Sequence, residues 1–132
     1  MFALAFTLTV LFELAALLAV KRFTKLLRRE KRIAWHLLAV NAFSHPIVWF
    51  GFPWLWNQYG LPVDSFTYLF NAEMFAVVSE ALIYHAFNAK TLGFEKALAL
   101  STALNMFSFV FGGWAFYALL LALGPNFQLA WP

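Results

Sequence analysis

Three carboxyls and one imidazole stand well inside long apolar stretches of this sequence, away from their ends: Glu13, Glu73, Glu80 and His45. Glu73 and Glu80 are seven residues apart, so they share one face of a helix. Ionisable groups at membrane depth are costly, and they nearly always face the interior of a helix bundle or a water-filled cavity. Carboxyls and an imidazole in such a place can relay protons or coordinate a cation. These four residues therefore form a candidate ion or proton relay.

Amide and hydroxyl side chains accompany the ionisable ones at helical spacing. Such groups often have a structural role, because they hydrogen-bond across a helix interface or let two helices approach closely. Alternatively, they line the path of the relay. Both interpretations stay open for this polar seam, to which we assign Asn41, Ser44, Ser101, Asn105 and Ser108.

Four apolar stretches must position these residues: about 2–20, 33–56, 66–87 and 97–123. Each has about the 20 mostly apolar residues that a helix needs to cross a membrane. The chain is 64% apolar and 11% charged, whereas a soluble domain is about 25% charged. We predict an all-α integral membrane four-helix bundle, a single transmembrane domain whose short connections make consecutive helices antiparallel neighbours. No convincing internal repeat is evident.

The depths of the polar residues coincide. If each stretch is a helix that starts at the cytoplasmic edge of the membrane, its rise of about 1.5 Å per residue fixes the depth of each side chain. His45 and Glu73 then lie about 18–21 Å from that edge. The main plane of the seam lies at about 10–12 Å, and we predict that it contains Glu13, Asn41, Glu80 and Asn105.

All nine cations lie in two connections. Seven of them fall between residues 21 and 32, and the other two are Lys90 and Lys96. Both connections face the same side of a four-helix bundle, and the positive-inside rule makes that side the cytoplasm. We therefore expect both termini on the non-cytoplasmic side, in a membrane that we expect to be a bacterial inner membrane. This distribution does not indicate a nucleic-acid partner.

The basic connection has a second interpretation besides its role in topology. Its apolar residues interleave with the cations, so it can lie on anionic lipid headgroups, at about 1 kcal/mol per cation. The alternative is a topology signal and nothing more. The candidate headgroup contacts are Lys21, Arg22, Lys25, Arg28, Arg29, Lys31 and Arg32.

Pro46 directly follows His45 inside the second stretch. A proline has no backbone N–H to donate and clashes with the carbonyl four residues earlier, here that of Ala42. We predict a kink at this point. The freed carbonyls need partners in a membrane, and we expect the Ser44 hydroxyl or a water to supply them.

Several kinds of chemistry are absent from the sequence. There is no cysteine, so thiolate metal sites, disulfides and cysteine nucleophiles are excluded. No catalytic motif and no cluster of histidines at metal-ligand spacing occurs, so we predict neither a catalytic residue nor a metal site. A haem between His36 and His85 is a remote alternative to two interfacial histidines that reach water.

Three functions fit these features. The favoured one is a non-enzymatic accessory subunit of a larger membrane complex, because a four-helix unit has little bulk for moving gates. The second is a small proton or cation transporter or channel that uses the intramembrane carboxyls. The third is an intramembrane enzyme for a lipid or membrane peptide, in which a glutamate activates water with help from His45 and Asn105. The expected partners are the lipid bilayer and other membrane proteins or further copies of the chain.

Overall fold

The structure, a computed structural model, describes residues 2–24, 27, 32–60, 62 and 66–123. Every regular element within these ranges is helical, which confirms the predicted all-α class. The elements are α1 (Phe2–Phe23), α2 (Ile33–Pro46), a π-helical turn (Ile47–Gly51), α3 (Phe52–Gln58), α4 (Phe66–Asn88) and α5 (Phe94–Leu123).

Four helical units are long and apolar enough to cross a membrane, so the chain is an integral membrane protein. The second span is composite, because α2, the π-helical turn and α3 follow one another without a break from Ile33 to Gln58. The fourth span starts earlier than the predicted residue 97, at Phe94. The reason is that the Gly93 carbonyl accepts the amide of Ala97 at 3.0 Å, which adds a turn to the helix.

The four spans form a closed ring in which each span packs against two others. Helix α1 contacts α2 and α5, and α4 contacts the same two helices, so α1 and α4 are diagonally opposite. Ring contacts show that neighbours run antiparallel. Phe2, at the start of α1, meets Trp49 late in the second span, with 5.8 Å between ring centroids. His36, early in α2, stacks on Phe87 at the end of α4, at 4.9 Å.

The two ends of the bundle differ in their packing. We call the end with the connections 24–32 and 89–93 the basic end, and the opposite end, where α1 and α4 begin, the terminal end. A dense apolar layer fills the bundle near the basic end, and each of its members is at most 2% exposed. This basic-end layer consists of Leu17, Leu27, Ile33, Leu37, Val40, Tyr84, Leu92, Ala97, Leu100 and Leu104.

Pro46 changes the helix type without ending the span. The residues after it form the π-helical turn Ile47–Gly51, a common way for a helix to absorb an interruption of its hydrogen-bond ladder. The Tyr68 hydroxyl on α4 donates to the Val48 carbonyl at 3.4 Å. The expectation that the Ser44 hydroxyl serves the freed carbonyls is wrong, because that hydroxyl donates to the Glu80 carboxyl instead.

Candidate functional site

Glu13 links three helices of the bundle. Its side chain projects from α1 and is fully buried. The Asn41 amide on α2 donates to Glu13 Oε2 at 2.6 Å. The Ser108 hydroxyl on α5 lies 3.4 Å from Oε1 and 3.0 Å from the Asn105 carbonyl, so its single proton serves one or the other. Asn41 also donates to the Leu37 carbonyl of its own helix, at 3.1 Å, which fixes the amide plane. The Glu13 carboxyl therefore fastens α1 to both of its neighbours through neutral donors.

Glu80 links α4 to its two neighbouring helices in the same way. The Asn105 amide on α5 donates to Glu80 Oε2 at 2.6 Å, and the Ser44 hydroxyl on α2 donates to Oε1 at 2.9 Å. Ser101 on α5 lies 3.2 Å from Oε2 and 3.0 Å from the Val77 carbonyl, so its single proton serves one or the other. This carboxyl is fully buried as well and has three side-chain donors around it.

The two glutamates are bonded in one reciprocal pattern. Each accepts a short bond from the asparagine of the next span, and each accepts a second bond from the serine of the other hairpin. The hairpin of the first two spans and the hairpin of the last two therefore share one bonding pattern, which we call the two-fold relation. All seven predicted residues of the plane and the seam belong to this one network: Glu13, Asn41, Ser44, Glu80, Ser101, Asn105 and Ser108.

Burial follows the same two-fold relation. Adding 64 to the number of each buried residue of α2 gives a buried residue of α5: Ile33, Leu37, Val40, Asn41 and Ser44 correspond to Ala97, Ser101, Leu104, Asn105 and Ser108. Adding 67 does the same from α1 to α4, where Glu13 and Leu17 correspond to Glu80 and Tyr84.

The two hairpins thus share a pattern of bonding and burial, although the sequence alone gives no convincing repeat. In the sequence, this shared pattern is visible only as the four-residue string Asn-x-Phe-Ser, which occurs at 41–44 and again at 105–108. Four residues are too few to establish a repeat by themselves. The relation becomes visible only when the two strings are found on diagonally opposite helices, each bonded to a glutamate.

Glu73 and His45 lie outside the network, although the sequence suggested one relay with Glu13 and Glu80. Glu73 is half-buried, and no hydrogen-bond partner of its carboxyl occurs in the part of the chain that the structure describes. The Nδ1 atom of His45 is buried and has no hydrogen-bond partner among the described residues, and the ring packs edge-on against Phe6, with centroids 5.6 Å apart. The structure thus divides the predicted relay into two pairs. The carboxyls of Glu13 and Glu80 are hydrogen-bonded within the network, whereas Glu73 and His45, the two available groups, are not part of it.

Both available groups face a cavity of about 680 Å³ between the seam and the terminal end. All four spans contribute to its walls, and its inner end reaches Asn105 and Ser108 of the seam. Its aromatic walls include Trp49, Trp114 and Tyr117. Sequence reasoning missed these residues as site residues, because aromatic side chains near a membrane surface are usually anchors at headgroup level.

Two further polar atoms of the buried region are unsatisfied in the described part of the chain: Asn41 Oδ1 and the Tyr84 hydroxyl. Tyr84 is fully buried one helical turn from Glu80 and occupies the position that Leu17 has in the other hairpin. A leucine at the equivalent place shows that packing there does not require a hydroxyl.

The two histidines of the haem alternative make protein contacts near the basic end. His36 Nδ1 is 3.1 Å from the Asn88 amide, and His85 Nδ1 is 2.9 Å from the Leu92 carbonyl. The second contact ties the end of α4 to the connection that follows it. The haem stays a prediction of the sequence alone.

The candidate headgroup contacts are described only in part. Lys21 and Arg22 lie in the last turn of α1, and Arg32 directly precedes α2. The remaining members of that set lie outside the described residues: Lys25, Arg28, Arg29 and Lys31.

The chemistry of the site follows from this geometry. Within the described ranges, no group of three or more His, Asp or Glu residues could hold a metal ion. The seam carboxyls can fasten helices, whereas Glu73 and His45 are free to meet a ligand, a proton or water from the cavity. No known protein family, curated protein or solved structure matches this chain.

Proposed function

We propose that this protein is a non-enzymatic accessory subunit of a larger assembly in a bacterial inner membrane, with both termini outside the cytoplasm. The observation that supports this role most is that the two carboxyls of the seam are hydrogen-bonded within the bundle. Glu13 and Glu80 each accept hydrogen bonds from two neighbouring helices, so they serve the fold. The basic-end layer then separates the seam from the connections on that side.

The outward surface of α5 supports a role in assembly. Large apolar side chains on this helix are exposed on the outside of the bundle, and we take two of them, Phe107 and Phe111, as this surface. The rings of Phe107 and Phe111 lie 4.5 Å apart and form a continuous aromatic surface. Aromatic side chains are enriched in protein interfaces, and this surface is our candidate contact with a partner helix.

Purification from the native membrane in a mild detergent tests the proposal. We expect a defined partner to co-purify with the native chain and to be lost from Phe111→Ala. Phe70→Ala is the matched control, because Phe70 is exposed to a similar extent on α4 (53% against 50%). A monodisperse monomer or small homo-oligomer would contradict the subunit role, and equal loss of the partner from both variants would contradict the contact through α5.

Transport of protons or cations is the second candidate, and the cavity favours it. Glu73 and His45 face a space that reaches the seam residues Asn105 and Ser108, so a path from the terminal end to Glu80 is short. Flux into liposomes that contain the purified protein tests this function. We expect Glu80→Gln to stop the flux and Glu95→Gln, on the exposed first turn of α5, to leave it unchanged. Equal flux in both variants would remove Glu80 from the mechanism.

A further inference from the structure

The two-fold relation identifies the place where the hairpins stop being equivalent. Near the seam, the glutamates, the asparagines and one serine of each hairpin correspond to each other, although Ser101 corresponds to Leu37. One or two turns towards the terminal end the match fails, since Glu73 on α4 corresponds to Phe6 on α1, and His45 on α2 corresponds to Phe109 on α5. Phe6, like Glu73, is partly buried, so an apolar side chain can be packed at that position and the Glu73 carboxyl is not required by the fold. Phe109 is 58% exposed, so it is not packed inside the bundle as His45 is.

The space at this position has the size and the walls of a small-molecule site. The cavity of about 680 Å³ falls within the usual range for ligand pockets of about 300–1,000 Å³. Gly113 on α5 lines this space, and a Cβ atom at that residue would meet nothing within 4 Å, so there is room for a larger side chain. Most lining side chains are apolar or aromatic, and the polar ones gather near the seam.

Two polar groups in the cavity are available to a ligand. The Asn105 amide is held by Glu80 and the Ser101 carbonyl, and the Ser108 hydroxyl is held by the Asn105 carbonyl at 3.0 Å. In contrast, the described residues offer no hydrogen-bond partner to the Glu73 carboxyl. His45 also lines the cavity, although its Nδ1 atom is itself shielded from the space. A ligand with one polar head and an apolar body would meet both kinds of surface.

The charges around the cavity indicate whether the polar head of the ligand is anionic or cationic. Every Lys and Arg of the chain lies between residues 21 and 32 or at 90 and 96, towards the basic end. No Lys or Arg of the described residues faces Glu73, so an anionic head would meet a carboxyl with no basic side chain beside it. A cationic head would be attracted to that carboxyl and to the aromatic rings of Trp49, Trp114 and Tyr117, which also line the cavity.

We infer that this cavity binds a lipophilic organic cation, with Glu73 beside the charge and the aromatic walls around the apolar body. His45 supplies a further polar contact next to the head. The site is independent of the subunit role, since it needs no residue of the aromatic surface on α5 that we assign to a partner.

Calorimetry with two probes of equal shape and opposite charge tests the inference. The protein is placed in nanodiscs of zwitterionic lipid and titrated with tetraphenylphosphonium or with tetraphenylborate, and the heat from empty nanodiscs is subtracted. We expect the phosphonium to bind at least about tenfold more tightly than the borate, because a carboxylate partner adds a charge-assisted contact to one probe only. Absence of phosphonium binding, or equal affinity for both probes, would overturn the inference.

Three variants assign the binding to the cavity. Glu73→Gln should weaken phosphonium binding by about tenfold or more and reduce the preference over the borate. Glu95→Gln changes the same functional group on the exposed start of α5 and should have no effect. Gly113→Leu fills the cavity and should abolish binding of both probes, while circular dichroism shows the native helix content. Phosphonium affinity unaltered by both Glu73→Gln and Gly113→Leu would place the probe elsewhere and refute the site.

Discussion

The two seam glutamates differ in how many donors they keep when one is removed, and this difference predicts an asymmetry in stability. Asn41→Ala removes the short 2.6 Å bond to Glu13 and leaves only Ser108, at 3.4 Å, which is long for a hydroxyl donor. Asn105→Ala removes an equally short bond to Glu80 but leaves Ser44 at 2.9 Å and Ser101 at 3.2 Å.

The magnitudes follow from what each variant leaves behind. A side-chain hydrogen bond between membrane helices is worth about 0.6–1.7 kcal/mol. A buried polar group left without a partner adds about 1–3 kcal/mol. We therefore expect Asn41→Ala to lower the free energy of unfolding by about 2–4 kcal/mol, and Asn105→Ala by about 0.6–1.7 kcal/mol. The same atoms are removed in both variants, so the comparison isolates the difference in bonding.

Reversible unfolding in mixed micelles with increasing dodecyl sulfate, followed by circular dichroism, measures these free energies. Asn71→Ala is the control, because the Asn71 amide is exposed and donates only to the Thr67 carbonyl of its own helix, at 2.7 Å; its free energy should barely change. The double variant Glu13→Leu with Asn41→Ala should be less destabilised than the sum of the single variants, because it leaves no orphaned carboxyl. Equal losses for the two asparagine variants, or strict additivity in the cycle, would refute the reasoning.

Three shorter predictions concern single side chains. Ser44→Ala should cost about 0.6–1.7 kcal/mol in the same unfolding assay, and Ser108→Ala should cost less, because its bond to Glu13 is 3.4 Å rather than 2.9 Å long. Tyr84→Phe should leave the free energy of unfolding unchanged or raise it by about 1 kcal/mol, since it removes a buried hydroxyl that has no partner within the described residues; a clear loss would reveal a partner. The chain has no cysteine, so an impermeant maleimide should label Gln58→Cys from outside intact cells and Lys90→Cys only after lysis, and the reverse pattern would contradict the predicted topology.

The sequence alone determined the helices and the chemistry available to them. Hydropathy and the period of 3.6 residues are local properties, so four spans and the shared face of Glu73 and Glu80 follow from residue order. The helical rise also placed Glu13 and Asn41 at similar depth before any contact was known. At Pro46 the local signal was sufficient to predict an interruption, although not its form, since a kink and a π-helical turn absorb the missing hydrogen bond equally well.

Only the tertiary structure decided which groups meet. Nothing in the order of residues fixes how each helix is rotated or which spans are diagonal, yet these choices made Ser44 a donor to the glutamate of the other hairpin. The rotation and arrangement of the helices also gave the four candidate relay residues different surroundings. Glu13 and Glu80 are hydrogen-bonded to neighbouring helices, whereas Glu73 and His45 face an open cavity. The physical reason is that a hydrogen bond or a cavity depends on surfaces from several helices at once, and no single helix carries its signature.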